Sequence, residues 1–345
     1  MPRYRTAALF VALLLVVAAC GGDDAAETTT TAAPTTETTA ADTGGQDAET
    51  YSFTVAVVEP DIAAVPILAA VDALVAAGHD VEAVEVAEPE LAIDGLARGE
   101  FEISGETISA ALIAIQVGAP ITIIGDVVGN AWTFYGRDDK TACADLDGTR
   151  IGIFSEGSVA TAMIRQWVAE NCPEISADYL VIGGSDVRYQ ALVAGEIDAT
   201  ALDVGEGMLL ANEEGQYNLM ANFSADLANL RPSAIYANSD FVADNPGAAQ
   251  AYLEALLEQH AKINSDPSYL ADLAIQYLGG DLDDWTLVAD AYVSNGLYNA
   301  AALTEENLAY TISFFEAAGV IEPGLTPADI AVLGPMQAAA AAVGN

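Results

Sequence analysis

The sequence predicts an α/β fold of two similar lobes followed by a helical C-terminal segment. Three observations carry this prediction. From Phe53 onward, short apolar runs alternate with helical patterns, an order typical of parallel sheets covered by helices. A second series of the same kind begins near residue 150, and a short motif recurs at the same place in both series. From Asn245 onward the pattern is almost wholly helical.

The first series contains four predicted strands separated by helical segments. Apolar runs that fit strands occupy residues 53–58, 81–87, 101–105 and 121–128. The segments between them place apolar residues at helical spacing, and the first ends at Gly78, a residue type common at helix C-termini. Strands that alternate with helices in this way pair in parallel, so the first half of the chain predicts one sheet.

The second series repeats this order after the turn-rich segment 136–148. Strands are predicted at residues 150–155, 178–183, 197–203 and 217–221, with a return strand at 231–238. A repeated motif links the two series: "LARGEFE" (96–102) and "LVAGEID" (192–198) share a Leu, a Gly-Glu pair, an apolar residue and an acid. Any helix–strand junction can resemble this, but both copies occupy the same place in their series. The repeat therefore favours two similar lobes with a cleft between them.

The first 20 residues have the pattern of a lipoprotein export signal. Arg3 and Arg5 precede the apolar stretch 6–19, which is too short for a stable transmembrane span. The stretch ends as "VVAAC", so Cys20 is expected to be lipidated. An ordinary signal peptide cleaved nearby is the alternative. Residues 21–50 contain no bulky apolar side chain, so we expect a flexible tether spanning roughly 30 Å r.m.s..

The net charge of −41, from 10 basic and 51 acidic residues, excludes two classes of partner. Nucleic acid and anionic lipid headgroups both require clustered Lys and Arg. An acidic surface with little Lys is common in proteins from saline habitats, where a Debye length of about 3 Å at 1 M salt screens self-repulsion. A saline source is a hypothesis that dialysis to low salt tests through stability.

Two cysteines remain when Cys20 is lipidated. Cys143 precedes the predicted strand at 150–155, and Cys172 ends the helix that follows this strand. A helix that returns antiparallel to its strand brings these ends together. In an oxidising compartment we expect a disulfide between them, and two buried free thiols are the alternative.

Five segments together resemble one family, the type II periplasmic binding proteins. The resemblance is to the branch that includes receptors for taurine, alkanesulfonates, nitrate and thiamine precursors, and it covers most of residues 51–330. No single segment is decisive, but their order and spacing match. The segments are "LARGEFEISGETISAALIAIQVGAPITII" (96–124), "LDGTRIGIFSEGSVATAMIRQWV" (146–168), "ALVAGEIDATALDVGEGM" (191–208), "SDFVADNPGAAQAYLEALLE" (239–258) and "LTEENLAYTISFFEAAGVI" (303–321).

The resemblance implies a two-lobed type II periplasmic binding protein fold with a helical C-terminal segment. By analogy, residues 51–137 and 235–345 form lobe 1, and residues 138–234 form lobe 2. It also implies a monomer, anchored by lipid outside the cytoplasmic membrane, that captures a small molecule for an ABC permease and its ATPase. Closure about crossovers near 131–140 and 231–238 is the expected motion. No cofactor or metal is expected.

Candidate ligand-binding residues follow from the fold, because ligands of α/β sheets bind beyond the carboxyl ends of strands, near helix N-termini. The polar and aromatic residues at these positions are Glu59, Asp61, Glu106, Thr107, Asn130, Trp132, Glu156, Gly157, Ser158, Asp203 and Glu206.

Each candidate also has a purely structural interpretation. Thr107 and Ser158 are residue types that cap helices. Asp203 and Glu206 favour a helix N-terminus electrostatically. Trp132 can serve as core packing. The convergence of several such groups on one cleft is what favours a site.

Acidic candidates outnumber basic ones, which favours an amine-bearing or heterocyclic ligand stacked on Trp132. A sulfonate, taurine or nitrate receptor is the alternative, with Arg188 or Arg231 turned into the cleft. A surface lipoprotein that senses a ligand without transport is a further alternative. An enzyme is not favoured, because His79 lies at a helix–strand turn and His260 on a helix that resembles a surface helix, and neither has a nucleophile or metal ligand near it in sequence.

Overall fold

The computed structural model describes residues 49–58, 60–211 and 215–344. The lipobox residue Cys20, most of the predicted tether and the candidate Glu59 lie outside these ranges. Glu49–Asn345 form one compact unit that contains every strand and helix given below. None of the described helices is long and apolar enough to cross a membrane.

Ten strands are present in the described residues. In chain order they are β1 (Ser52–Val58), β2 (Asp80–Val86), β3 (Ile103–Thr107), β4 (Ile121–Gly125), β5 (Trp132–Arg137), β6 (Arg150–Ile153), β7 (Asp178–Val181), β8 (Ala199–Asp203), β9 (Tyr217–Ala221) and β10 (Ser233–Asn238).

The ten strands form two five-stranded sheets with the same topology. The first sheet has the order β2-β1-β3-β10-β4 and the second the order β7-β6-β8-β5-β9. In the first sheet β1 pairs in parallel with β2 and β3, while β10 runs antiparallel to β3 and β4. In the second sheet β6 pairs in parallel with β7 and β8, while β5 runs antiparallel to β8 and β9. In each sheet the antiparallel strand, β10 or β5, directly follows the point where the chain crosses from the other sheet.

Strand β5 differs from the sequence prediction, which assigned residues 131–140 to a crossover. The segment Trp132–Arg137 instead lies inside the second sheet. The prediction for 231–238 as a return strand agrees with β10, but neither segment is a free hinge. The chain passes between the sheets at residues 126–131, after β4, and between β9 and β10.

Fourteen α-helices in the described residues cover the sheets. They are α1 (Val65–Ala76), α2 (Pro89–Arg98), α3 (Ile108–Gln116), α4 (Val159–Asn171), α5 (Ser185–Val193), α6 (Val204–Ala211), α7 (Phe223–Asp226), α8 (Ser239–Asp244), α9 (Pro246–Ser265), α10 (Pro267–Leu278), α11 (Leu282–Ser294), α12 (Glu305–Ala317), α13 (Pro327–Ile330) and α14 (Gly334–Val343). Short 3-10 helices occupy Cys143–Leu146 and Ala300–Ala302.

The sequence repeat corresponds to equivalent elements of the two sheets. Its first copy joins α2 to β3 and its second joins α5 to β8, the third strand of each series. Gly99 and Gly195 have φ values of +69° and +74°, a left-handed backbone that favours glycine after a helix. The repeat therefore reflects the same helix–strand turn built twice.

Two large apolar clusters hold the unit together. One packs β1 and β3 against α1, α9, α10 and α11, with Tyr252 and Tyr292 fully buried. The other joins strands of both sheets, because Ile123 of β4, Phe134 of β5 and Ile151 of β6 are fully buried in one contiguous cluster. The two sheets therefore share one hydrophobic core beside the segments that connect them.

A disulfide joins Cys143, in the 3-10 helix before β6, to Cys172 at the end of α4. Their Cα atoms are 5.8 Å apart, and 29 residues separate them in sequence. The bond ties the start of β6 to the end of its returning helix, which is the arrangement that the strand–helix geometry predicts.

Candidate functional site

Loops from both sheets contribute carboxylates that interact with one another. Asp61 follows β1 in the first sheet, Asp186 begins α5 after β7, and Asp203 and Glu206 lie at the junction of β8 with α6. The charge of Asp61 acts on Asp203 and Glu206, and that of Asp186 acts on Asp61. We refer to these four residues as the acidic cluster. It lies where the carboxyl ends of β1, β7 and β8 meet, as the fold predicts for a ligand site.

Asp61 is open to water yet surrounded by protein. Its Oδ1 accepts hydrogen bonds from the amides of Ala63 (2.9 Å) and Ala64 (3.2 Å) at the start of the helical turn. The residue is exposed by surface area, but desolvation by the surrounding protein raises its pKa, opposed by the amide hydrogen bonds. Exposure together with desolvation is the combination expected on the wall of a cleft.

Asp203 and Glu206 are half-buried and carry raised pKa values. Asp203 Oδ1 accepts the Gly205 amide at 2.8 Å, and Glu206 Oε2 accepts the Ser185 hydroxyl at 3.2 Å. Desolvation and then the charge of Glu206 raise the pKa of Asp203 well above its ordinary range. Desolvation raises the pKa of Glu206 to about 7, with Asp61 adding to the effect. The cluster therefore concentrates more negative charge than its surroundings stabilise.

Two buried tyrosines from the C-terminal helical region connect both sides of the cluster. The Tyr292 hydroxyl donates to Asp203 Oδ2 at 2.6 Å, and the Tyr298 hydroxyl donates to the Ile62 carbonyl at 2.7 Å. Their rings stack with centroids 5.3 Å apart. These contacts run from β8 through α11 and the segment that follows it to the loop after β1, so the tyrosines connect Asp203 with the loop that carries Asp61.

Arg188 contributes a positive charge beside the acidic cluster. It is 1% exposed, and Glu206 and Asp186 attract its guanidinium. Its Nε donates to the Ala201 carbonyl at 3.2 Å and its Nη1 to the Gly183 carbonyl. Burial lowers the pKa of Arg188 to about 10, so the group stays charged at neutral pH. Nη2 has no hydrogen-bond partner among the described residues.

Trp132 lies next to this arginine, where β5 begins and β8 ends in the second sheet. It is the first residue of β5 and pairs in register with Asp203 of β8. The Arg188 guanidinium carbon is 5.7 Å from the centroid of the Trp132 ring, within the range of a cation–π contact. Four predicted site residues, Asp61, Trp132, Asp203 and Glu206, are therefore brought together.

The candidates at the β3–α3 junction, and Asn130 between β4 and β5, make hydrogen bonds within the protein. Glu106 accepts a hydrogen bond from the Thr107 amide. Thr107 is the N-cap of α3 without a side-chain cap bond, and its Oγ1 lies 3.2 Å from Ser109 Oγ. Asn130 is buried, and its amide donates to the Phe223 and Leu227 carbonyls.

The three candidates before α4 are also accounted for by local structure. Glu156 is ion-paired with Arg165 at 2.5 Å. Ser158 is the N-cap of α4 and accepts from the Thr161 amide at 3.3 Å. Gly157 has open space where a side chain would lie. Helix capping, the structural interpretation of Ser158, describes its observed contacts.

A buried ion pair lies between the two crossover segments. Arg231, shortly before β10, contacts Asp126, directly after β4, at 3.1 Å. Asp126 is fully buried, and desolvation raises its pKa to about 7 against the opposing effect of Arg231. Arg231 is thus held by this ion pair at the junction of the two crossover segments.

A family model described as NMT1/THI5 like matches residues 74–269, more than half of the chain. This chain belongs to the NMT1/THI5-like family. The match extends from α1 to α10 and so includes both sheets apart from β1. None of the curated proteins matches the sequence.

Solved structures share the fold of this NMT1/THI5-like chain. The ligand-binding component of an ABC-type import system from Staphylococcus aureus, with zinc bound, has a TM-score of 0.69 at 13% identity over 84% of this chain and 98% of its own. The aliphatic sulphonate-binding protein SsuA from Escherichia coli has 0.65 at 16% identity over 81% and 92%. The nitrate-binding protein NrtA from Synechocystis has 0.65 at 14% identity over 86% and 89%. The two-lobed periplasmic binding protein fold is confirmed.

The histidines of this NMT1/THI5-like chain differ from expectation at one position. His260 is 2% exposed rather than on a surface helix, and burial lowers its pKa to about 3, so it is neutral. It is buried because α9 packs its neighbours against the first sheet's core. His79 accepts the Tyr51 amide at its Nδ1. Among the described residues, no group of three or more His, Cys, Asp or Glu is arranged to hold a metal ion.

Four residues of the site were not predicted from the sequence. Ser185 and Asp186 follow β7, so the same carboxyl-end rule that indicated Asp203 applies to them. Tyr292 and Tyr298 come from the helical C-terminal segment, and no local pattern distinguishes them from core aromatic residues.

Proposed function

We propose that this protein is an extracytoplasmic solute-binding lipoprotein that captures a small amine-bearing molecule for an ABC permease and its ATPase. One observation carries the proposal: Asp61 from the first sheet and Asp203 and Glu206 from the second lie within mutual electrostatic reach. A ligand placed among them contacts both halves of the molecule.

The electrostatics of the acidic cluster support a cationic group as its occupant. Asp61, Asp203 and Glu206 are each desolvated, and the charge of another carboxylate adds to the rise in the pKa of each. An ammonium group 4 Å from one carboxylate gains about 4 kcal/mol at an effective dielectric of 20. The Trp132 ring adds an aromatic face that attracts cations. Binding of a cation thus offsets the electrostatic repulsion between these carboxylates.

Hinge closure is the mechanism we propose for capture. The ligand bridges the carboxyl ends of the two sheets, and the crossover segments at 126–131 and 227–232 absorb the rotation. The lobes are proposed to follow the sheets, with residues 132–232 as the second. The closed form then docks on the permease, with the chain held as a monomer at the extracytoplasmic face of the cell membrane by a lipidated Cys20.

Binding without chemistry is part of this proposal. His260 is buried and neutral, and His79 is occupied by a backbone amide. Neither histidine therefore serves as a general base at the acidic cluster. In this proposal the carboxylates and the guanidinium of the site hold the ligand.

An anion receptor of the same fold is the second candidate, and Arg188 favours it. Its Nη2 is a buried donor without a partner among the described residues. A sulfonate or nitrate oxygen would satisfy this donor. Ligand sensing without transport uses the same site, and the genes beside this one, encoding a permease and an ATPase or a sensor, distinguish the two roles.

A thermal-shift screen of residues 49–345 in high salt tests the proposal. The ligands are taurine, alkanesulfonates, nitrate, polyamines, betaines, pyrimidines and thiamine. A ligand at 100 times its Kd adds about 2.7 kcal/mol to the unfolding free energy. Stabilisation by amine-bearing compounds supports the proposal, stabilisation by anions alone replaces it with the second candidate, and the absence of any stabilising ligand contradicts capture.

A further inference from the structure

The buried guanidinium of Arg188 has one donor nitrogen without a partner beside the acidic cluster. Arginine has donors on three nitrogens. Nε and Nη1 bind the carbonyls of Ala201, within β8, and Gly183, just beyond the parallel strand β7. Nη2 has no partner among the described residues. A buried donor of this kind is unfavourable unless an acceptor reaches it.

Nearby charges place the guanidinium at the cluster itself. Glu206 and Asp186 are the groups whose charges act on Arg188, and the Trp132 ring centroid is 5.7 Å away. Neither carboxylate is hydrogen-bonded to Nη2, and Glu206 instead accepts from Ser185. The site therefore presents a donor for an anionic group next to carboxylates for a cationic group.

We propose that the ligand is a small zwitterion whose ammonium group binds at Asp61 and whose carboxylate binds Nη2 of Arg188. This inference rests on the proposed function and specifies its ligand class. Asp61 belongs to the first sheet and Arg188 to the second, so the two ends of one molecule connect the two halves. A carboxylate oxygen is a charged acceptor for this cationic donor, and hydrogen bonds between two charged groups are the stronger ones.

The neighbouring charges of both signs support a ligand that itself carries both a positive and a negative group. Desolvation makes Asp203 and Glu206 hold protons more tightly than ordinary carboxyls. The Arg188 guanidinium lies among these carboxyl groups, and the charges of Glu206 and Asp186 act on it. An ammonium and a carboxylate on one molecule match this pair of opposite fields, whereas a simple amine leaves the arginine donor without a partner.

Calorimetric titration of residues 49–345 with matched ligands tests the inference. The zwitterions are glycine, β-alanine, 4-aminobutyrate, 5-aminovalerate and their trimethylated forms. Each is compared with the amine and the carboxylate that lack one end. At least one zwitterion should bind at least tenfold more tightly than both of its single-charge analogues.

Two results overturn the inference while leaving the proposed function in place. They are amines that bind as tightly as the zwitterions, and zwitterions that fail while another amine-bearing compound in the wider screen binds. Anions that bind alone overturn the inference and also replace the proposed function with the second candidate. Taurine compared with β-alanine tests the anionic end, and tighter binding of taurine contradicts the carboxylate assignment. Failure of every class contradicts the proposed function itself.

Variants assign the two ends of the ligand separately. Asp61→Asn keeps an oxygen for the Ala63 and Ala64 amides and removes the charge, so the preference for zwitterion over carboxylate should fall at least tenfold. Asp266→Asn is the matched control, because Asp266 is also an exposed capping aspartate, on α10. Unchanged preference in Asp61→Asn refutes the ammonium assignment.

The arginine end has its own pair of variants. Arg188→Gln should abolish the preference for zwitterion over amine, provided that a cooperative thermal transition shows it folded. Arg188→Lys keeps the charge in case the glutamine variant does not fold, and it should weaken zwitterion binding more than amine binding. An unchanged zwitterion-to-amine ratio in a folded variant refutes the carboxylate assignment.

Discussion

Replacing Glu206 with Gln should stabilise the ligand-free protein at high pH and leave it unchanged at low pH. Desolvation and the charge of Asp61 raise the pKa of Glu206 from an ordinary 4.5 to about 7. That difference corresponds to about 3 kcal/mol of unfavourable free energy for the ionised form in the folded state. The side chain is half-buried, so this figure is an upper value. The glutamine in this variant would still accept the Ser185 hydroxyl through its amide oxygen.

The sign of the pH dependence follows from proton uptake. Between pH 4.5 and pH 7 the folded protein retains a proton on Glu206 that the unfolded chain has lost. The unfolding free energy therefore falls as the pH rises through this window, and the full cost is present above pH 7. The glutamine variant has no such proton, so its advantage in unfolding free energy should grow from near zero at pH 4 to at most about 3 kcal/mol at pH 8.

Urea denaturation of both proteins at pH 4 and pH 8, in high salt, measures this difference. Glu258→Gln, at an exposed position on α9, controls for the change in net charge. A variant that is equally stabilised at both pH values refutes the reasoning, because the effect would not come from ionisation. A variant less stable than the wild type at pH 8 would show that Glu206 is stabilising as a carboxylate.

Three further predictions concern stability. Replacing both Cys143 and Cys172 with Ser opens a loop of 29 residues and should lower the unfolding free energy by about 3–4 kcal/mol. Urea denaturation with and without reductant measures this loss, and equal stability of the wild type and the variant would contradict the prediction. Arg231→Met should lower the unfolding free energy by about 3–5 kcal/mol at pH 8, because Asp126 stays buried without its partner. The loss should be smaller at pH 5, where a carboxyl with a pKa of about 7 is protonated. A loss of stability that is independent of pH would exclude this cause. Asn130→Ala should cost about 1–3 kcal/mol by leaving buried carbonyls without a donor, and thermal denaturation that matches the wild type would refute it.

Most of the architecture was predictable because it rests on local patterns. Parallel strands buried on both faces produce short apolar runs, and the glycines at 99 and 195 mark equivalent helix ends. Strand β5 was not predicted, although "WTFYGR" contains residue types that favour strands. Its partners are β8 and β9, more than 60 residues further along the chain. The pairing that fixes its role is not visible in its own segment.

The candidate site was predictable only where chain order and chemistry coincide. The rule that ligands bind beyond strand carboxyl ends indicated Asp61, Asp203 and Glu206, which the structure brings into mutual electrostatic reach. It also indicated Glu156, which is paired with Arg165 two turns along α4. The burial of Arg188 could not be anticipated, because arginines are rarely fully buried and its carbonyl partners come from two separate strand regions.

A crystal structure of residues 49–345 with the tightest-binding compound of the screen tests the central claim most directly. We expect the ligand between the carboxyl ends of the two sheets, with a positively charged group within hydrogen-bonding distance of Asp61, Asp203 or Glu206. A ligand that makes no contact with the acidic cluster would contradict this claim. An example is a ligand in the cavity of about 420 Å³ lined by His260, Asn264 and Tyr298.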